Sequence, residues 1–430
     1  MSVARVAVVG GGISGTLCSL VLRNRGLTPI LIDQGREIGG RLGGSARSNY
    51  DVDAGAQFLR TADIRLLNVF HMLESSGLLA RWKGRFGLLG SKAGYLPSAI
   101  VGTVSATGMM KKNDDPNENI ITDSGDFCGF VTHDNEKNPT YVGVPDNASL
   151  CQQICELAEI EQLNKTTVVN ARTVNGGGWN LEMKSEGMDS SLSKFDALVL
   201  AVHDPTLAAR TVQSLLDQEV VATHNTKIDA SDDEAHLLLQ NRLTNLINDL
   251  NGIRETRKPI FTWSGCFDDE DASKKLPYDA VSVPSSHLVQ FIARESSKPR
   301  RREGEIWTAV STSRLAQGIL QRHDENPTLT TTSVEEEAAD IMSQEVSQLL
   351  FGRKSQEVIG SSVRWGAAFS STTLGLKEDS VVLHPWRLAI AGDFVRSLGA
   401  HPTPLEATAL SGLEAGERIA SLFGDIATRT

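Results

Sequence analysis

The run Gly10-Gly11-Gly12-Ile13-Ser14-Gly15 could do chemistry by virtue of residue type and spacing alone. It is a G-x-G-x-x-G turn between an apolar run and a helical one. Gly10 permits a tight turn, Gly12 lets backbone approach a pyrophosphate, and Gly15 lets strand and helix pack closely. The turn leads into a helix whose positive end attracts the anion, and Ile13 and Ser14 within the turn are candidate binding residues. Asp33 closes the next apolar run, where an acid hydrogen-bonds an adenosine ribose. This turn alone does not separate FAD from NAD. Further on, the pair Gly39-Gly40 allows close backbone approach, and Arg41 adds charge-assisted bonds to phosphate.

Other reactive residue types are less informative. His203, His384 and His401 flank predicted strands, and each could act as a base near a cofactor. Cys18, Cys128, Cys151, Cys155 and Cys266 contain no Cys-x-x-Cys and suit a reducing compartment as buried small hydrophobes. No His/Cys/carboxylate spacing points to a metal, and no Gly-x-Ser-x-Gly occurs.

The elements that must position these residues are legible from periodicity. Arg5 to Val9 and Pro29 to Asp33 read as buried parallel strands around a helix from Thr16 to Arg25, a βαβ opening. Helical spacing returns over Ala62 to Trp82, Leu150 to Leu163, most of Pro205 to Arg257, Val334 to Leu350 and Leu405 to Leu422. Thr166 to Arg172, Trp179 to Lys184, Asp196 to Val202 and Leu388 to Ala391 read as strands. Ile260 to Thr312 alternates in short runs that suggest an antiparallel sheet. The polar stretch 102–138 reads as an excursion.

A chain of 430 residues suits two domains, and 40% hydrophobic with 22% charged residues gives ample core material. The net charge of -11 argues against nucleic acid as a partner. The run Lys298-Pro299-Arg300-Arg301-Arg302 is expected to be a solvated loop. No apolar run approaches the ~20 residues of a membrane span. With the first strand beginning near Val3, no leader is expected, so the cytoplasm is the expected location.

Several motifs together resemble the renalase-like members of the flavin-containing amine oxidase superfamily. They are Gly35 to Arg41, Asp53-Ala54-Gly55-Ala56-Gln57-Phe58, Tyr141 to Pro145, Ser296 to Arg300, Val363 to Ala368, Ile390-Ala391-Gly392-Asp393 and Glu406 to Gly412. Asp146-Asn147, His203-Asp204, Arg300 and Gly366-Ala367 depart from the family's pattern. The resemblance implies FAD as cofactor. It implies that Gly55, Ala56 and Gln57 lie near the flavin, that Val169 meets the adenine through its backbone, and that Gly392 and Asp393 bind the ribityl chain or pyrophosphate. Glu406 would open a final helix aimed at the flavin N1/O2 edge. Trp365 would stand over the flavin face, with Trp263 and Phe369 as weaker candidates. Lys298 is the nearest match to the lysine that many amine oxidases hold close to N5.

The expected fold is α/β: a doubly wound, Rossmann-like FAD domain and a smaller α+β substrate domain with an antiparallel sheet. The FAD domain is expected from 1–80, 140–204 and 355–430, and the substrate domain from 81–139 and 205–354. The resemblance implies an FAD-dependent oxidoreductase taking a hydride from a small amine or dihydropyridine-type donor. Reduced nicotinamide is among the candidate donors, and O2 is the expected acceptor. A carotenoid desaturase or isomerase relative and a non-catalytic FAD-binding protein are the alternatives.

Overall fold

The computed structural model describes residues 3–43, 52–90, 94–97, 139–174, 177–186, 191–225, 230–267, 270–302, 304–326, 332–352, 358–396 and 403–424. The stretch 102–138 and His401 lie outside them.

The opening apolar runs form the centre of a six-stranded sheet. Its order is 380–383, 388–391, 197–200, 5–9, 28–32, 161–163, and every pairing is parallel except that of the outer edge strand Ser380–Leu383. Val6 and Val8 enter one core while Ala7 and Val9 enter another. Burial on both faces explains why this strand is apolar at every position after Arg5. Helices Ile13–Asn24, Leu150–Leu157 and Pro404–Ser421 cover the first face. A three-stranded antiparallel sheet (Thr166–Thr173, Trp179–Ser185, Ser191–Phe195) covers the other, together with helices Thr206–Asn225 and Ala230–Glu255. The chain leaves strand Arg5–Val9 first to one side and later returns on the other. That switch point opens a crevice at the carboxyl ends of the strands.

The final helix reaches this crevice because it crosses the first helix closely. A Cβ at Gly412 would collide with the backbone oxygen of Ser14, and one at Gly416 would come within 3.0 Å of the oxygen of Cys18. Only glycine lets the two backbones approach so far.

The second sheet has seven strands in the order 358–370, 257–267, 306–311, 289–294, 280–282, 86–90, 94–97. Helices Ser313–Glu325 and Val334–Phe351 pack on it around Trp263, Trp307 and Met342. The packing redistributes two expected segments. Helices Thr206–Asn225 and Ala230–Glu255 lie against the six-stranded sheet, and strand Val358–Ser370 is an edge of the seven-stranded one. Periodicity could identify these elements as helix and strand, but it could not say which sheet each would join.

Candidate cofactor site

Three glycines of the opening turn have different physical duties. Gly10 adopts φ +110°, and a Cβ there would strike the oxygen of Ala201. A Cβ at Gly15 would strike the oxygen of Gly10. Gly12 is extended (φ -76°, ψ -179°) and caps the helix Ile13–Asn24 with no side-chain hydrogen bond and no acid in the first turn. A Cβ there would meet only Gly40 Cα, at 4.0 Å. The fold itself needs Gly10 and Gly15. At Gly12 no neighbour among the described residues demands glycine, so the open side is available to a ligand at the uncapped helix end beside Ile13 and Ser14.

Gly39 and Gly40 sit directly opposite, with φ +131° and +54°, and Gly39 bridges to Gly12. Asp33 staples this corner: its carboxylate accepts from the N–H of Gly11 and of Gly35, both at 2.6 Å. Gly55 and Ala56 follow behind, where the Ala56 N–H donates to the oxygen of Arg41 at 3.0 Å and a Cβ at Gly55 would strike that oxygen.

Arg41 crosses the crevice. Its Nη1 donates to Asp393 Oδ2 at 2.6 Å and to the backbone oxygen of Ala368 at 2.7 Å. Asp393 is buried, which alone would raise its pKa, but Arg41 and then Arg257 hold its carboxyl below the usual range. Arg257 Nη2 stands 3.8 Å from Asp393 Oδ1. His203 follows strand Ala197–Leu200 at the same edge. Partial withdrawal from water, then the charges of Arg41 and Arg257, push its imidazole pKa down. His384 precedes strand Leu388–Ala391 and is exposed at the opposite end of the sheet, so it is no base for this crevice.

Gly392 donates its N–H to Ser411 Oγ at 2.8 Å, which joins the strand end to the final helix. Thr403 caps that helix, but Glu406 does not return to the cap as a capping box would have it. Its buried carboxylate instead accepts from Thr61 Oγ1 and from the N–H groups of Ala62 (2.8 Å) and Asp63 (3.1 Å). Val169 lies where the ladder between its strand and Trp179–Ser185 slips: Asn170 pairs with Glu182 and Val168 with Met183. This bulge releases the backbone of Val169 from the regular pairing.

On the side of the second sheet, Trp365 donates from Nε1 to the oxygen of Ala54 at 3.0 Å and packs with Phe369 against Phe58, Trp82, Ile260 and Phe291. Trp263 is fully buried and bonds Ser343 Oγ at 2.9 Å, a core residue. Cys151 and Cys155 are buried, and burial pushes each thiol up to about 12.

Lys298 corrects the expectation of a solvated basic loop. Its side chain is 0% exposed, and its Nζ donates to Asp53 Oδ2 (2.9 Å), Glu295 Oε1 (2.6 Å) and Gln57 Oε1 (3.4 Å). Arg301 is also buried and donates to Asp53 Oδ2 at 2.7 Å. Thr308 Oγ1 bonds both Gln57 Oε1 (2.8 Å) and Glu295 Oε1 (2.9 Å). A run of basic residues reads as solvated because charge avoids low dielectric. Here one acid three residues away, Glu295, and one distant acid, Asp53, make burial tolerable. Burial, then the nearby Asp53 charge against the pull of Lys298, leaves the Glu295 carboxyl raised, while the two cations keep Asp53 lowered despite burial.

Among the described residues no cluster of His, Cys, Asp and Glu could hold a metal, and no helix is long and apolar enough to cross a membrane.

With this geometry in place, comparison with known proteins identifies the class of fold. Residues 8–75 match the family described as an NAD(P)-binding Rossmann-like domain. No curated protein matches the chain. Solved structures align over nearly all of it. A protein of Exiguobacterium sp. 255-15 assigned as a protoporphyrinogen oxidase is 13% identical with TM-score 0.58, covering 98% of this chain and 99% of its own. An oxidoreductase from Methanosarcina mazei is 10% identical with TM-score 0.56, covering 96% and 100%. A putrescine oxidase solved with putrescine bound is 12% identical with TM-score 0.55, covering 100% of both. The chain therefore has the fold of these solved structures, with a Rossmann-like domain at its start.

Proposed function

We propose that the protein is an FAD-dependent oxidoreductase that takes a hydride from a small amine or dihydropyridine-type donor, with O2 as acceptor. The observation that carries this reading is the uncapped helix end at Gly12, open on the ligand side and faced by Gly40. The residues present fit FAD. The glycine turn accepts a pyrophosphate, and Asp393 Oδ1 and Glu406 Oε2 are buried without hydrogen-bond partners.

In this reading Gly12, Ile13, Ser14 and Arg41 bind the pyrophosphate, Asp33 the ribose, and the released backbone of Val169 the adenine. Gly10, Gly15, Gly39 and Gly40 shape the turn. Gly392 and Asp393 hold the ribityl chain. Gly55, Ala56 and Gln57 lie beneath the ring, with the final helix, opened by Glu406, aimed at its edge. Bound FAD would supply two-electron acceptor chemistry. Trp365, fixed through Ala54, supplies a wall that excludes water from the donor. Lys298 has its ammonium bonded by Asp53, Glu295 and Gln57, which favours a positioning role for it over one at the reacting atoms. The likeness of fold to the putrescine oxidase supports a small amine as donor.

The test is the visible spectrum of the purified protein, with anaerobic dithionite and then air. Flavin bands that bleach and return support the reading, and a screen of amines and reduced nicotinamides for peroxide release then identifies the donor. A colourless protein that takes up no added FAD overturns it.

A further inference from the structure

Arg257 belongs to none of the cofactor motifs, yet it is the second cation of the crevice. It is the first residue of strand Arg257–Phe267, so it comes from the seven-stranded sheet rather than from the six-stranded one that carries the glycine turn. Its side chain is only 6% exposed. Its bonds are long: Nη2 to Ser370 Oγ at 3.3 Å and Nη1 to the oxygen of Ala367 at 3.5 Å. Its Nε is buried with no hydrogen-bond partner, and so is the Asp393 oxygen nearest to it. The Nη2 of Arg257 stands 3.8 Å from that oxygen, too far to bond. Two guanidiniums thus face one carboxylate, and Arg41 already holds the other oxygen of that carboxylate. Burial lowers the pKa of the Arg257 guanidinium, and the carboxylate does not make up for it. A buried cation with an unused donor costs stability unless an anion completes it.

We propose that Arg257 is an anion-binding residue for the phosphate groups of the bound dinucleotide, acting with Arg41. The inference rests on the dinucleotide site described above. It adds that the ligand's phosphates tie the two sheets together, since Arg41 follows the glycine turn and Arg257 starts a strand of the other sheet. A planar guanidinium suits this task because it presents several donors to phosphate oxygens in a fixed geometry.

The experiment is a fluorescence titration of the full chain, freed of bound nucleotide, with ADP and with adenosine. Wild type should bind ADP more tightly than adenosine. Arg257→Ala should lose about ten- to a hundredfold in ADP affinity, with adenosine affinity within about twofold of wild type. Arg257→Lys should recover part of the loss, and the salt dependence of ADP binding should be shallower in Arg257→Ala. Unchanged ADP affinity in Arg257→Ala, or equal losses for ADP and adenosine, would overturn the proposal while leaving the FAD reading intact. A wild-type chain that binds neither ADP nor FAD removes both. Should Arg257→Ala not fold, Arg257→Gln, which can keep the bond to Ser370, gives the same comparison.

Discussion

Two groups of buried charges lie where the sheets meet, and they are built differently. Around Lys298, two cations and two carboxylates are interlocked by Gln57 and Thr308, and the ammonium uses its donors on three side chains. Around Asp393, two guanidiniums share one carboxylate, and both Arg257 Nε and Asp393 Oδ1 have no hydrogen-bond partner. Buried polar groups are normally satisfied within the protein. The first cluster also leaves two atoms unpaired, Glu295 Oε2 and Arg301 Nε at 3.9 Å from each other, but its two cations meet two carboxylates, so it can serve as a fastening between the 53–57 segment and the seven-stranded sheet. The second has only one carboxylate for two guanidiniums, in the crevice where a ligand's anion would complete it.

The sharpest way to break this comparison is to unbalance the closed cluster. Lys298→Met leaves Asp53 and Glu295 buried beside Arg301 alone. The expected loss is about 3–5 kcal/mol of stability, read by urea denaturation. A loss below about 1 kcal/mol would mean that the cluster fastens nothing.

A smaller effect separates what the fold needs from what a ligand needs. Gly15→Ala forces a Cβ onto the oxygen of Gly10 and should cost about 1–3 kcal/mol. Gly12→Ala should leave the melting temperature of the ligand-free chain nearly unchanged, because among the described residues its Cβ meets nothing closer than 4.0 Å. It should nevertheless weaken FAD retention, measured by flavin absorbance after gel filtration. Full FAD retention in Gly12→Ala would place the ligand elsewhere.

The smallest expected effect is one of pH. A carboxyl whose folded pKa is raised, as that of Glu295 is, takes up its proton more readily in the folded state. That contribution is complete below the unfolded value of about 4.3 and is lost as pH rises toward the folded pKa. Wild type and Glu295→Gln should therefore diverge as pH rises above about 4, with Glu295→Gln gaining relative stability in denaturant titrations. Parallel profiles would show that Glu295 stays ionised against Lys298.

How far the sequence could be read depended on the distance between partners. The glycine turn, the pair Gly39-Gly40 and the strands beside them were legible because their constraints act over a few residues and appear as spacing. Glu406 was legible as a residue near the start of a helix, but not as the acceptor for Thr61, Ala62 and Asp63 across the chain. His203 and His384 look equivalent in sequence, each beside an apolar strand. Strand direction separates them: one follows its strand into the crevice, and the other precedes its strand at the far end.

By itself the sequence determined the βαβ opening, the glycine turn, the apolar strands and the periodic helices, since backbone sterics and hydrophobic spacing are local. Only the tertiary structure decided that helices Thr206–Asn225 and Ala230–Glu255 cover the six-stranded sheet and that strand Val358–Ser370 joins the seven-stranded one. It alone brought Arg41 to Asp393 and Arg257, and buried Lys298 between Asp53 and Glu295. A charge's solvent exposure and partners depend on which distant segments pack against it, and a linear pattern of residue types does not carry that information.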